Sequence, residues 1–331
     1  MTSVLVVGLG ETGVRTARQL LDTRGVDRVF VAGRTESGTR SVAEALHDGA
    51  EVWTISDDAM FPPDIDAIAS AVPASADAAL AHAAVERAIP FASVADHGAA
   101  ISELLALDEQ ARAHHTTVLA GCGLAPGLAD VLVRHAGGVL DSVDEVHVAR
   151  FGIGGPACAA LARRTQREPS REWREEAVVH DRRRGDELIW FPDPVGGREC
   201  ELVATGVDLL VAANPGVERV TVRLGAPVHR RFAPPGRRDP AAGFGAVRAE
   251  VWGWRGRERA TVVYGVIERT AIAAGTVLGV ATAWLAGALP EVGDVVTGAS
   301  GLGIAVKPVP FLAELSRRGV KAAVFEGVAV A

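Results

Sequence analysis

The sequence predicts an α/β protein: a doubly wound parallel sheet, with an inserted α+β domain built on a mixed sheet. Three observations predict it. Apolar runs of strand length alternate with helical stretches from Ser3 to about Ala120. A glycine turn joins the first such run to the first helix. After about Gly137 the rhythm changes to short strands, a hairpin signal and Pro/Gly/Arg loops.

Ser3–Val7 is an apolar strand. Gly8-Leu9-Gly10-Glu11-Thr12-Gly13 follows, and then a helix with Val14, Ala17 and Leu21 on one face. Strand, Gly-x-Gly-x-x-Gly and helix, in that order, is the setting in which the pattern binds a dinucleotide. Gly8 permits the tight turn, Gly10 lets a diphosphate approach the backbone, and Gly13 lets helix and strand come close. The helix start offers free N–H groups to the phosphates. These features define a Rossmann turn. The plainer alternative is a glycine turn without a ligand. Glu11 is the odd member, because an acid repels phosphate; its side chain is expected in solvent or against a cation.

Asp27–Ala32 is the second strand, ending in Gly33-Arg34-Thr35. An acid here bonds the ribose hydroxyl of NAD, whereas an arginine accommodates the extra phosphate of NADP. Arg34, with Thr35 and Ser37 as further donors, therefore points to NADP, with NAD as the alternative cofactor. A helix over Thr39–His47, a strand over Ala50–Ile55 and Asp57, placed near the adenine, come next. Ile65–Val72 is a strand that runs into Pro73, and Ala76–Ala88 an alanine-rich helix. Ile89–Ala95 is a strand ending in Asp96-His97; Ile101–His114 is a helix and Thr117–Ala120 a strand. Ligands of such sheets bind beyond the carboxyl ends of the strands, so Val72, Pro73, Asp96, His97 and Cys122 fall on the functional edge.

From Gly121 the chain reads Gly-Cys-Gly-Leu-Ala-Pro-Gly-Leu, and Leu128–His135 is a helix leaving the first domain. Glu145–Phe151, Glu187–Phe191 and Arg219–Leu224 are strands, and Thr205–Ala213 is a helix. Arg248–Trp254 and Arg259–Val266 make a hairpin. Arg163 to Arg184 mixes arginines and acids around Trp173. This is either a solvated face or a source of one or two arginines for a substrate carboxylate. An apolar helix near Thr270–Ala288, a glycine-rich loop from Gly293 to Gly303, a short helix over Pro310–Arg318 and a strand over Val320–Phe325 complete the chain.

At 331 residues the chain has room for about two domains. A net charge of −7 excludes the usual basic nucleic-acid binder. Lys307 and Lys321 are its only lysines, so a catalytic lysine is a poor candidate. Cys122, Cys158 and Cys200 are scattered without metal-ligand spacing; no metal is expected, and the usage fits a reducing cytoplasm. The amino-terminal apolar run enters the glycine turn at once and is not a signal peptide. Ala271–Leu289 is uncharged over nineteen residues and holds Gly275 and Gly279, a spacing also found in membrane helices. Its small residues, and flanks (Glu268-Arg269 and Glu291) without a basic bias, favour a buried helix of a soluble protein instead.

The glycine fingerprint, Val94-Ala95-Asp96, the Gly121–Leu128 element, Thr270–Leu289 and the final Phe311–Gly319 helix together resemble the saccharopine dehydrogenase-like family of NAD(P)-dependent oxidoreductases. Its relatives include saccharopine reductase, lysine 6-dehydrogenase and carboxynorspermidine dehydrogenase. The resemblance implies a discontinuous first domain, 1–128 with 269–331, around a substrate domain at 129–268. It implies hydride transfer at a C=N or C–N bond of an amino-acid-derived or amine substrate. Asp96 matches an acid that often ends the fifth strand, and Cys122 matches a cysteine near the substrate. On this reading Asp96 stabilises the iminium charge, His97 exchanges a proton and Cys122 borders the nicotinamide. A homodimer is implied by analogy alone; a small-molecule substrate is expected, with no nucleic acid and no membrane. Reduction of a conjugated C=C or a carbonyl, and a non-catalytic NADP-binding redox sensor, stand as alternatives.

Overall fold

A computed structural model describes residues 1–46, 49–56, 60–152, 154–181, 185–225 and 243–328. Asp57 lies outside them, as do Arg182–Arg184 and most of the Pro/Gly/Arg loop before Gly245. The first half builds β1 (Ser3–Val7), α1 (Glu11–Leu21), β2 (Arg28–Ala32), α2 (Glu36–Ala45), β3 (Ala50–Val52) and β4 (Ala67–Ser70). It continues through α3 (Ala74–Glu86), β5 (Phe91–Ser93), α4 (Gly98–Leu105), α5 (Asp108–Ala113), β6 (Thr117–Ala120) and α6 (Leu128–Gly137).

The middle of the chain forms β7 (Ser142–Phe151), α7 (Pro156–Thr165), β8 (Ser170–Arg174), β9 (Ala177–Asp181), β10 (Glu187–Trp190) and β11 (Gly197–Leu202). Then come α8 (Val207–Ala213), β12 (Arg219–Gly225), β13 (Gly245–Arg255) and β14 (Glu258–Glu268). The chain returns through α9 (Thr270–Leu285), β15 (Gly298–Gly301), α10 (Leu302–Ala305), α11 (Pro308–Arg317) and β16 (Ala322–Val328).

The first sheet is seven-stranded and parallel, in the order β15-β6-β5-β4-β1-β2-β3. Its strand order reverses between β1 and β4, and the carboxyl ends of those two strands flank the crevice there. Val4 to Val6, Ile68, Ala69, Phe91 and Leu119 are fully buried, as expected for strands covered on both faces. The second sheet has nine strands. β7 pairs in parallel with β12 and antiparallel with β13, so the sheet is mixed, as its composition of hairpins foretold.

Two features of the return segment differ from the sequence reading. The stretch read as a glycine-rich loop contains β15, which adds a seventh parallel strand beside β6. The last strand, β16, pairs antiparallel with β14, so it extends the second sheet and not the first-domain segment that begins at 269. Elsewhere the mixed Arg/Glu stretch resolves into the end of α7 and the β8–β9 hairpin. That hairpin turns through Glu175 and Glu176, both at positive φ. Glu-Glu carries none of the Asn-Gly chemistry that announces such a turn, so no local pattern marks it.

α1 buries Gly13, Thr16, Ala17 and Leu20, a face one step round from the expected Val14/Ala17/Leu21. The cause is α9, which lies along α1. A Cβ at Gly275 would stand 2.6 Å from Arg15 Cβ and 2.8 Å from the Thr12 carbonyl oxygen; one at Gly279 would stand 2.9 Å from Gln19 Cβ. The two glycines are therefore a close-packing seam between two helices of the first domain, where added side-chain atoms cost about 1–3 kcal/mol. Among the described residues no helix is long and apolar enough to cross a membrane.

Candidate active site

The glycine turn has the shape its sequence requires. Gly8 sits at φ +92°, and a Cβ there would lie 2.5 Å from the Ala71 carbonyl oxygen. A Cβ at Gly13 would collide with the Gly8 carbonyl. Gly10 has nothing within 4 Å on its Cβ side. It is also the N-cap of α1 and offers no side-chain cap, so the first amides of that helix stay available to an anion. Leu9 packs beside Gly33 at the end of β2. Glu11 is exposed and leans on the backbone of Gly155, whose Cβ would stand 3.4 Å from the Glu11 carboxyl carbon. It makes no ion pair among the described residues.

Just past β2, Arg34 is exposed and makes no ion pair among the described residues. Thr35 is the N-cap of α2: its Oγ1 accepts a hydrogen bond from Gly38 N at 3.3 Å. Arg34 thus stands at the positive end of a second helix.

A cleft of about 490 Å³ opens between the two sheets. Val72 and Pro73, after β4, and Asp96 and His97, after β5, line it from the first sheet. Arg150 at the end of β7, and Cys158, Leu161 and Arg164 on α7, line it from the second domain. Arg150 Nη1 donates to Asp96 Oδ2 at 3.0 Å and to the Ala125 carbonyl at 2.9 Å. His97 Nε2 is within 3.0 Å of Glu168 Oε2. That leaves Nδ1 as the His97 nitrogen without a protein partner among the described residues.

A buried staple holds the edge that carries Asp96 and His97. Asp77, on α3, accepts hydrogen bonds from Ser70 Oγ at 2.6 Å and from Ser93 Oγ. Ser93 Oγ in turn accepts from Ala95 N at 2.9 Å, and Cys122 N donates to the Ser93 carbonyl at 2.6 Å. Burial raises the Asp77 pKa against the pull of the two serines. The ends of β4 and β5 are thereby fixed to one carboxyl group, and the end of β6 to the Ser93 backbone beside it.

The glycine element after β6 wraps back on itself. Gly127 lies at φ +121°, where any Cβ would meet the Gly123 carbonyl, and its N–H donates to Asp130 Oδ2 at 3.0 Å. Asp130 is fully enclosed, and burial, only partly offset by that hydrogen bond, pushes its pKa up to about 7.

The Shikimate / quinate 5-dehydrogenase family profile matches residues 1–94, the first part of the parallel-sheet domain. Apo saccharopine dehydrogenase (L-Glu forming) from Saccharomyces cerevisiae superposes with a TM-score of 0.71 at 13% identity, covering 100% of both chains. The chain has the saccharopine dehydrogenase fold. DAP dehydrogenase of C. glutamicum, solved in complex with DAP, shares it more loosely: TM-score 0.55, 16% identity, 96% of this chain and 99% of that one. A probable dehydrogenase from Thermotoga maritima gives 0.52 at 11% identity, over 97% and 98%.

Within the saccharopine dehydrogenase fold, Asp96, His97, Val72, Pro73 and Thr12 all reach one cleft. Cys122 does not. Its side chain is 0% exposed, its thiol is directed at the Leu119 carbonyl at 3.8 Å, and burial raises its pKa far above the ordinary thiol range. The expectation that it borders the nicotinamide is corrected: the loop turns its backbone, at Gly123 to Pro126, towards the cleft and its thiol into the core. The cysteine that lines the cleft is Cys158. Arg171, one of the arginines considered for a substrate carboxylate, is held bidentately by Asp208 at 2.9 Å. Sequence reasoning missed Arg150 and Glu168. Arg150 lies at a strand end facing Asp96 across 54 residues of chain, and no local pattern marks such a pair.

Proposed function

We propose that this protein is an NADP-dependent oxidoreductase that transfers hydride at a C=N or C–N bond of an amine or amino-acid-derived substrate. The observation that carries this reading is that the glycine turn, with its open Gly10 and uncapped α1, lines a groove adjoining the cleft of the Asp96/His97 edge, with Thr12 reaching that cleft and Gly154 and Thr270 shared by both. The residues present fit a dinucleotide: Gly8, Gly10 and Gly13 leave the space, the α1 amides face the diphosphate, and Arg34 meets a 2′-phosphate. When bound, NADPH supplies the hydride. The chain's own residues then position and protonate. Arg150 fixes the Asp96 carboxylate at the substrate end of β5. Asp96 orients the substrate nitrogen, and His97, held through Nε2 by Glu168, exchanges a proton through Nδ1. α7 and the β7 end exclude water from the cleft.

The His97–Glu168 pair also favours a second reading. A ketone or conjugated C=C needs a firm proton donor as hydride arrives, whereas a neutral imine takes its proton, here from His97, before the hydride. One panel separates the two: NADPH oxidation with aldehyde–amine mixtures and with enones, for the native protein and for His97→Asn. The C=N reading expects turnover of the mixtures, lowered about 10²-fold by the substitution. Turnover of enones without turnover of imines replaces it with the second reading.

A further inference from the structure

We infer that Arg150 holds a carboxylate borne by the carbon that takes the hydride, so that the substrate is an α-imino acid, or the N-substituted α-amino acid it yields. This inference rests on the reading of the interdomain cleft as the reaction site. Arg150 lines that cleft from the end of β7, with a side chain 16% exposed. Its Nη1 donates to Asp96 Oδ2 at 3.0 Å and to the Ala125 carbonyl at 2.9 Å, which uses both hydrogens of that nitrogen. Nε is buried without a partner, and Nη2 makes no hydrogen bond among the described residues. Nε and Nη2 form one edge of the guanidinium, the fork that takes a carboxylate through two parallel bonds. A buried donor without an acceptor is costly, and a bound anion relieves it.

The neighbouring arginines are less suited. Arg164 is 74% exposed and stands 3.6 Å from Glu168, so water competes for an anion there. Arg171 is taken bidentately by Asp208. Asp96 then sets where the carboxylate sits on the substrate. Its Oδ1 has no partner among the described residues and is left for the substrate nitrogen. Asp96 and the bound carboxylate share one guanidinium and stand only one guanidinium apart. A substrate that offers its nitrogen to Asp96 and its carboxylate to the fork must therefore carry both on one carbon. Methylenes between the two would take the carboxylate past the fork. Charge agrees with this geometry: the protonated imine faces Asp96, the carboxylate faces Arg150, and the zwitterion leaves the net charge of the cleft unchanged. The α-carbon receives the hydride of NADPH, and the π pair of C=N moves onto nitrogen, which keeps the proton taken from His97. The products are the α-amino acid and NADP.

The test compares two unreactive isomers of equal size and charge, pyrrole-2-carboxylate and pyrrole-3-carboxylate. Each offers a ring N–H and a carboxylate, but only the first joins both to one carbon. Each is titrated calorimetrically into the full chain saturated with NADP. The expected result is pyrrole-2-carboxylate binding about ten-fold or more tightly than its isomer. Equal affinities, tighter binding of the 3-isomer, or binding of neither overturns the inference. Arg150→Lys keeps the charge and loses the fork, and should bring the ratio to about one. A preference that survives this substitution counts against the inference. Pyrrole-2-carboxamide, whose carboxylate is neutralised, should bind the native protein about ten-fold or more weakly than the carboxylate. Equal affinity there overturns the inference without recourse to a variant. NADPH oxidation is then followed with methylamine and either glyoxylate or succinic semialdehyde, whose imines carry the carboxylate on the reacting carbon and at the far end. The glyoxylate mixture should turn over faster. Turnover of the succinic semialdehyde mixture that is as fast or faster overturns the inference and keeps the C=N reading. If the pyrrole preferences hold and neither mixture is reduced, Arg150 keeps its carboxylate and the C=N reading falls.

Discussion

Arg34 stands exposed beyond β2, at the positive end of α2 and next to Gly33, beside which Leu9 of the glycine turn packs. A phosphate placed there gains a charge-assisted hydrogen bond that a ribose hydroxyl cannot match. Arg34→Ala should therefore weaken NADP binding about ten-fold or more, roughly 1.5–3 kcal/mol, and leave NAD nearly unchanged. Quenching of protein fluorescence by each cofactor measures both affinities. Unchanged NADP affinity removes the cofactor assignment. At this scale the sequence was most legible where one residue's shape decides the backbone: Gly8 and Gly13 admit no side chain, and this follows from the spacing alone. It was least legible at Cys122, because a residue's place on a loop does not tell which way its side chain turns.

Among the elements, α6 and the loop before it are held together by one buried acid. Asp130 caps the helix by accepting the Gly127 N–H, and burial lifts its pKa from 3.8 to about 7. Below pH about 4 both folded and unfolded chains hold this proton, and the group contributes nothing. Between about 4 and 7 the unfolded chain releases it and the folded chain keeps it, so stability falls as pH rises. Above about 7 the penalty is complete, at most about 4 kcal/mol at roughly 1.4 kcal/mol per pH unit. Asp130→Asn keeps an acceptor for Gly127 without the titration. It should lose less stability than the native protein between pH 5 and 8 in urea unfolding. Parallel slopes for the two proteins would contradict this role. The strand–helix alternation of the first half was readable because each element carries its own period. β8, β9 and β15 were not, because they are short, polar or glycine-rich, and only their partners β12 and β6 make them strands.

For the whole molecule, the two sheets meet so that the carboxyl ends of β4, β5 and β6 face the end of β7 and α7 across the cleft. The layering of a parallel sheet with an inserted mixed sheet was visible in the order of the elements. The pairing that closes the cleft, Arg150 to Asp96 and Glu168 to His97, joins residues 54 and 71 positions apart and emerges only on folding. The most direct measurement is a crystal structure of the protein grown with NADPH. The account predicts the diphosphate on the α1 amides beside Gly10, the 2′-phosphate against Arg34, and the nicotinamide C4 facing the Asp96/His97 edge. A glycine turn that stays empty at saturating NADPH, or a nicotinamide directed away from that edge, would contradict it.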